Sequence, residues 1–161
     1  MATEANNVKG TFETDPISAL VLPSPVSIGV DATVGAALAA VQTQSRGYVL
    51  VVDDSGRPRG IMSERDVLMK IVARDVKYDT NVMEYVSKIP VTLTDKEKIA
   101  RAIKLMIAEG VDTIPIVDSE GKATGVLRTL DVIDFLAEVF PAQVLNLPPN
   151  PHQTMPKPEG G

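Results

Sequence analysis

The feature that most constrains the fold of this chain is an internal repeat at an offset of 65 residues. Tyr48-Val49-Leu50-Val51-Val52-Asp53 aligns with Thr113-Ile114-Pro115-Ile116-Val117-Asp118. At the same offset Gly56 falls on Gly121, Gly60 on Gly125, Asp66 on Asp131 and Val67 on Val132. Upstream, Pro25-Val26 falls on Pro90-Val91 and Ala37 on Ala102. The register runs without a gap from Pro25–Ile71 onto Pro90–Leu136, and glycines, turn residues and apolar positions agree together. A chain built this way folds as one supersecondary unit made twice.

Each copy reads alike. A short extended piece (Val26 to Ile28; Val91 to Leu93) precedes a helix. In the second copy Ile99, Ala102, Ile103, Met106 and Ile107 recur at helical spacing, and in the first Val34, Ala37, Leu38 and Val41 do so. Asp31 is a candidate N-cap for the first helix, and Gly110 a stop for the second. Two strands follow, Tyr48 to Asp53 with Arg59 to Met62, and Thr113 to Asp118 with Thr124 to Leu127. Turns rich in Asp, Ser and Gly join them. The first strand of each hairpin is apolar at consecutive positions, which predicts burial on both faces. A second helix carries Val67, Leu68, Ile71 and Val72 in one copy and Val132, Ile133 and Leu136 in the other. One unit has too few strands to cover its own sheet, so the two copies are expected to pack sheet on sheet with helices outside. A short stretch, residues 80–86, mirrors Ile17 to Val21 and gives each copy its own lead-in turn. The organisation expected is a segment over 1–16, repeat 1 over 17–72, a linker over 73–89, repeat 2 over 90–136 and a tail over 137–161.

Bulk composition excludes several functions. With 44% hydrophobic and only 4% aromatic residues, the core must be aliphatic. Met62, Met69, Met83 and Met106 are expected to fill gaps in it. A formal charge of -5 argues against nucleic-acid binding. Cysteine is absent, and the single histidine, His152, lies in a tail (Pro141 to Gly161) that holds six of the twelve prolines. Thiol chemistry, a histidine triad and a Cys/His metal site are therefore not expected. Asp53-Asp54 looks like half a metal site, but Asp118-Ser119 at the matching position marks turn chemistry. Lys96-Glu97-Lys98 reads as a solvated first helical turn. No apolar run reaches the ~20 residues of a membrane span, and a soluble, cytoplasmic protein is expected. Val144, Leu145 and Leu147 of the tail could anchor it on a partner subunit.

Two segments carry the chemistry. Gly60-Ile61-Met62-Ser63-Glu64-Arg65-Asp66-Val67 and Gly125-Val126-Leu127-Arg128-Thr129-Leu130-Asp131-Val132 each follow a strand–turn–strand. Ser63 stands where a helix begins, so its hydroxyl and the free N–H groups of the first turn could hold a phosphate. The Asp66 carboxylate, one turn in, could accept two ribose hydroxyls, and Arg65 adds charge. The same Ser-x-x-Asp spacing is that of a capping box, which needs no ligand. The recurrence of aspartate at Asp131 without the serine favours a ligand role over capping alone. At the second motif Arg128 either contacts phosphate itself or fills the cleft.

These motifs, with the Ile114-Pro115-Ile116-Val117-Asp118 strand, resemble the cystathionine-β-synthase (CBS) domain family over Ile17 to Leu136. The resemblance implies an α/β (α+β) tandem CBS repeat: two βαββα units about a pseudo-twofold axis, with two clefts between them. It further implies an adenosine-containing ligand in those clefts (AMP, ADP, ATP or S-adenosylmethionine) with no cofactor required. The aspartate would hold ribose and Ser63 the phosphate. Tyr48 and Val49 would flank the adenine in the first cleft, with Thr113, Ile114 and Pro115 as the matching strand positions. The cleft of Ser63, Arg65 and Asp66 is the primary expectation and that of Arg128 and Asp131 the second. Homodimerisation through the helices and an unknown downstream protein are implied partners. A regulatory binding module is the leading reading, a ligand-free interaction protein the alternative, and an enzyme the least supported.

Overall fold

The computed structural model describes residues 9–140; the tail segments carrying Val144, Leu145, Leu147 and His152 lie outside the described residues. After a helical turn over residues 9–14 (α1), repeat 1 comprises β1 (Ser27–Gly29), α2 (Val34–Gln44), β2 (Tyr48–Val52) and β3 (Pro58–Ser63), followed by a helical segment that opens with α3 (Glu64–Asp66). Repeat 2 comprises α4 (Ile99–Glu109), β4 (Thr113–Val117), β5 (Ala123–Arg128) and α5 (Thr129–Val139). Each hairpin is antiparallel with the same one-residue slip near its turn, between Val51 and Val52 and between Ile116 and Val117. The turns close identically. An Oδ1 of Asp53 accepts from the backbone N–H of Ser55 and Arg57, and Asp118 does the same for Glu120 and Lys122. Gly56 and Gly121 supply the φ values of +77° and +80° there. Asp53 and Asp118 are thus turn residues.

β2 and β4 are buried, as their continuous apolar runs require. Three clusters form the core. One gathers Val34, Ala37, Val49, Val51, Met62 and Ile71 of repeat 1. Another gathers Ile99, Ala102, Met106, Ile114, Leu127 and Val132 of repeat 2. The third joins Tyr48, Leu50 and Ile61 to Val126 and mates the two halves.

The lead-in turns are exchanged between the repeats. Ile17 and Leu20 are buried in the repeat 2 cluster, and Val82 in that of repeat 1. The backbone bonds obey the same exchange and the same offset: Ile17 N–H donates to Glu97 O and Val82 N–H to Ala32 O. Ile99 N–H donates to Asp15 O and Val34 N–H to Thr80 O. Each lead-in turn therefore serves the other copy, where sequence reading assigned each to its own.

Other expectations need correction. The N-cap of α2 is Thr33, whose Oγ1 accepts from Ala36 N–H, and not Asp31. Lys96 and Glu97 precede α4, with Lys98 at its N-cap; Glu97 accepts from Thr94 N–H and pairs with Arg101. Met62 and Met106 are buried, but Met69 and Met83 are exposed. Ile107, Leu68, Val72 and Ile133, placed on apolar helical faces by their spacing, are exposed as well. The extended piece of repeat 2 shrinks to a single parallel bridge, Leu93 with Ile116, where β1 pairs three residues with β2. The second helix of repeat 1 is irregular: after α3 the chain takes a wide π turn over Val67–Ile71 and a tight 3-10 turn over Val72–Arg74. Its counterpart α5 is a regular helix of 11 residues.

Candidate functional site

Two clefts lie at the seam, and each draws on both repeats. The first, about 420 Å3, is walled by Ile61, Ser63, Arg65 and Asp66 of repeat 1 and by Pro90, Gly110, Val111, Asp112, Thr113 and Pro115 of repeat 2; the linker residues Ser87 to Ile89 complete it. The second, about 310 Å3, has Asp131, Asp134, Phe135 and Glu138 of repeat 2 facing Arg46 and the stretch Ala19 to Pro23 of repeat 1. Under the repeat offset they overlap, through Leu22, Pro23, Arg46 and Asp131 of the second. Applying the offset turns Val111 into Arg46, Ser87 into Leu22, Lys88 into Pro23 and Ser63 into Arg128.

In the first cleft β3 delivers Ser63 to the start of α3. Its Oγ accepts from Asp66 N–H at 3.1 Å while Asp66 Oδ2 accepts from Ser63 N–H at 3.0 Å, a complete capping box. The Ser63 hydroxyl also donates to Oδ2 at 3.1 Å. Oδ1 is engaged by the Ser87 hydroxyl at 2.9 Å and the Lys70 ammonium at 2.8 Å. A carboxylate has about four lone-pair sites, and all of them have partners here. Burial pushes the Asp66 carboxyl up, but bonds from Lys70, Ser63 and Ser87 and the Lys70 charge outweigh it and hold the carboxyl below its ordinary range.

Ser87 is held there by backbone. It exchanges two hydrogen bonds with Ile61, N–H to O at 2.8 and 3.1 Å, at the edge of β3. Gly60 makes that approach possible: a Cβ on it would lie 2.5 Å from Val86 Cγ2. Lys70 reaches Asp66 from the π turn, a helical irregularity that recurs at functional sites.

The second cleft is built differently. Asp131 Oδ2 accepts from Arg128 N–H at 2.8 Å, so the acid caps α5 although no serine precedes it. Asp131 thus caps its helix even without a serine at the N-cap. The Arg128 guanidinium closes over the same carboxylate as a fork, Nη2 to Oδ1 at 2.8 Å and Nε to Oδ2 at 3.2 Å. Arg46 Nη2 adds a contact across the seam at 3.4 Å, and Arg128 Nη1 donates to Arg46 O at 3.2 Å. Burial pushes Asp131 up. The Arg128 hydrogen bonds and the charges of Arg128 and Arg46 reverse the sign, so it too titrates below its ordinary range. Tyr48 backs this cluster. Burial raises its phenol against the opposing pull of the Val26 backbone, Arg46 and Arg128.

Of the residues singled out by sequence, Ser63, Arg65, Asp66, Thr113 and Pro115 line the first cleft and Asp131 the second. Tyr48, Val49 and Ile114 do not line the first cleft. They are buried in the three core clusters. The strand wall opposite Ser63 comes from the other repeat. Lys70, Ser87, Lys88 and Arg46 escaped sequence reading. The signal for Arg46 was present as a charged residue matching the apolar Val111 at the repeat offset.

The CBS domain family matches residues 17–73 and 82–138 of this chain, one match for each repeat. The chain belongs to the CBS domain family. Among curated relatives of this CBS pair, an uncharacterized protein of Methanopyrus kandleri is 32% identical over 88 residues, 54% of this chain and 45% of that protein. A magnesium transporter of Thermus thermophilus is 32% identical over 133 residues, 78% of this chain and 28% of the transporter. The chain thus spans less than half the length of either. A solved CBS domain protein from Pyrobaculum aerophilum, complexed with AMP, superposes with a TM-score of 0.68 at 24% identity, covering 77% of this chain and 99% of that one. Among the described residues of the CBS pair, no helix is long and apolar enough to cross a membrane.

Proposed function

We propose that this CBS pair is a regulatory module that binds an adenosine-containing nucleotide in the first cleft and acts on another chain without catalysing a reaction. The observation that carries the reading is the composition of that cleft. Apolar Ile61, Ile89, Pro90, Val111 and Pro115 offer a bed for a base, and Arg65 and Lys88 flank it with positive charge for phosphate. Asp66 between them suits a ribose. Its hydroxyls would take the places now filled by Ser87 and Lys70, which releases the Lys70 ammonium toward the phosphates. The AMP complex of the Pyrobaculum protein supports adenosine as the class. Exposed Leu68, Met69 and Val72 on the repeat 1 helical segment, with Ile107, Leu130 and Ile133 on repeat 2, favour a second copy of the chain as the cover for the helices.

The test is thermal unfolding, with sedimentation on the same samples, in the presence of AMP, ADP, ATP and S-adenosylmethionine. A ligand at a hundred times its Kd stabilises the native state by about 2.7 kcal/mol. Asp66→Ala should remove that shift while costing only about 1–2 kcal/mol of ligand-free stability through its cap and the Lys70 contact. No shift with any of the four compounds removes the nucleotide reading, and a monomeric mass removes the pairing.

A further inference from the structure

We infer that the second cleft is occupied by the protein's own side chains and is closed to nucleotides, so that the chain binds one nucleotide and not two. The inference rests on the adenosine reading of the first cleft and deepens it. Both clefts descend from one sequence unit, so position-by-position comparison isolates what differs.

The ribose-facing carboxylate is the first difference. Asp66 is bonded to a serine hydroxyl and a flexible ammonium, Ser87 and Lys70, both on its Oδ1. Asp131 is covered by a guanidinium that spans both its oxygens, with side-chain exposures of only 16% for Arg128 and 10% for Asp131. A planar fork matched to a carboxylate is far harder to displace by hydroxyls than a single ammonium contact. Arg128 also donates to Arg46 O, so the plug is fastened to the opposite wall.

The phosphate side is the second difference. Arg65, Ser87 and Lys88 of the first cleft become Leu130, Leu22 and Pro23, whose side chains cannot donate to a phosphate. The space that remains is lined by Asp131, Asp134 and Glu138, with Arg46 as the one cation among the described residues that line it. Arg46 already contacts Asp131 through Nη2 at 3.4 Å. A polyphosphate entering there meets uncompensated negative charge in a partly desolvated site.

The repeat itself supplies the test. Arg46→Val and Arg128→Ser transplant the residues that stand at the equivalent positions of the first cleft, Val111 and Ser63. Isothermal titration with AMP and ATP should give one equivalent per chain for the native protein. With Leu130→Arg and Pro23→Lys added to restore the cations that stand at Arg65 and Lys88 of the first cleft, the Arg46→Val/Arg128→Ser variant should gain a second, weaker equivalent that Asp131→Ala then removes. Two equivalents in the native chain overturn the inference, as does a folded quadruple variant that still takes one. If the native chain binds no nucleotide, the adenosine reading has failed, and the plug is judged on the ligand-free protein. A double-mutant cycle on Arg128→Ser and Asp131→Asn should then show coupling of about threefold or more in the unfolding equilibrium constant. Additive effects there overturn the plug.

Discussion

The two clefts of this molecule are one design with two outcomes. Each sets an aspartate at the third position of a helix, caps that helix with it, and faces it across the seam with the turn that follows the other repeat's first helix. In the first cleft that turn brings Val111 and Asp112, and the carboxylate is held by Ser87 and Lys70. In the second it brings Arg46, and Arg128 clamps the carboxylate from its own side. Backbone position is thus kept by the repeat while the chemistry is set by a few side chains. Duplication gives two frames, and it need not give two working sites.

The largest effect separating them should come from removing the acids. Asp131→Ala leaves two poorly exposed guanidinia facing each other, and breaking such a pair costs about 3 kcal/mol or more. Asp66→Ala loses a cap and a more exposed ammonium contact, about 1–2 kcal/mol. Urea unfolding of the two ligand-free variants should rank them in that order. Equal losses would mean that the Arg128 fork contributes no more than the Lys70 contact.

A smaller contrast lies in the paired glycines. Gly60→Ala drives a methyl into Val86 and should cost about 1–3 kcal/mol by overpacking while displacing Ser87 from Asp66. Gly125→Ala meets Leu22 Cβ at an ordinary 3.5 Å and should stay within about 0.5 kcal/mol. A nucleotide titration of the same variants should find binding weakened by the first substitution and untouched by the second.

The smallest effect is in the response to acid. Both carboxyls titrate below their ordinary range in the folded chain, so they stabilise the fold fully above the ordinary aspartate value of about 3.9. That stabilisation is lost as the pH falls through the lowered folded values. The unfolding midpoint should therefore drop on acidification below roughly pH 4, and Asp131→Asn or Asp66→Asn should each flatten part of that slope. A midpoint independent of pH in the native chain between about pH 4 and 2 would contradict both pairings.

Much of this was legible in the chain. The offset of 65 residues located both hairpins, the glycine turns, the two motifs and the equivalence of the lead-in turns. Hydrophobic spacing found the helices but overstated their buried faces, because spacing does not say which partner surface exists. Ile107 and Leu68 lie on apolar stripes yet are exposed among the described residues. The aspartates were found; their partners were not, since Ser87 and Lys70 reach Asp66 only after the linker pairs with β3 and the helix widens into a π turn.

By itself, the sequence determined the repeat, its two hairpins and which residues could carry charge to a helix start, because these follow from local periodicity and turn sterics. Only the tertiary structure decided that lead-in turns cross to the opposite repeat, that the strand residues Tyr48, Val49 and Ile114 are core and not cleft lining, and that arginines occupy the second aspartate. Those outcomes depend on which surfaces meet across the seam, and contacts between positions far apart in the chain leave no periodic trace in it.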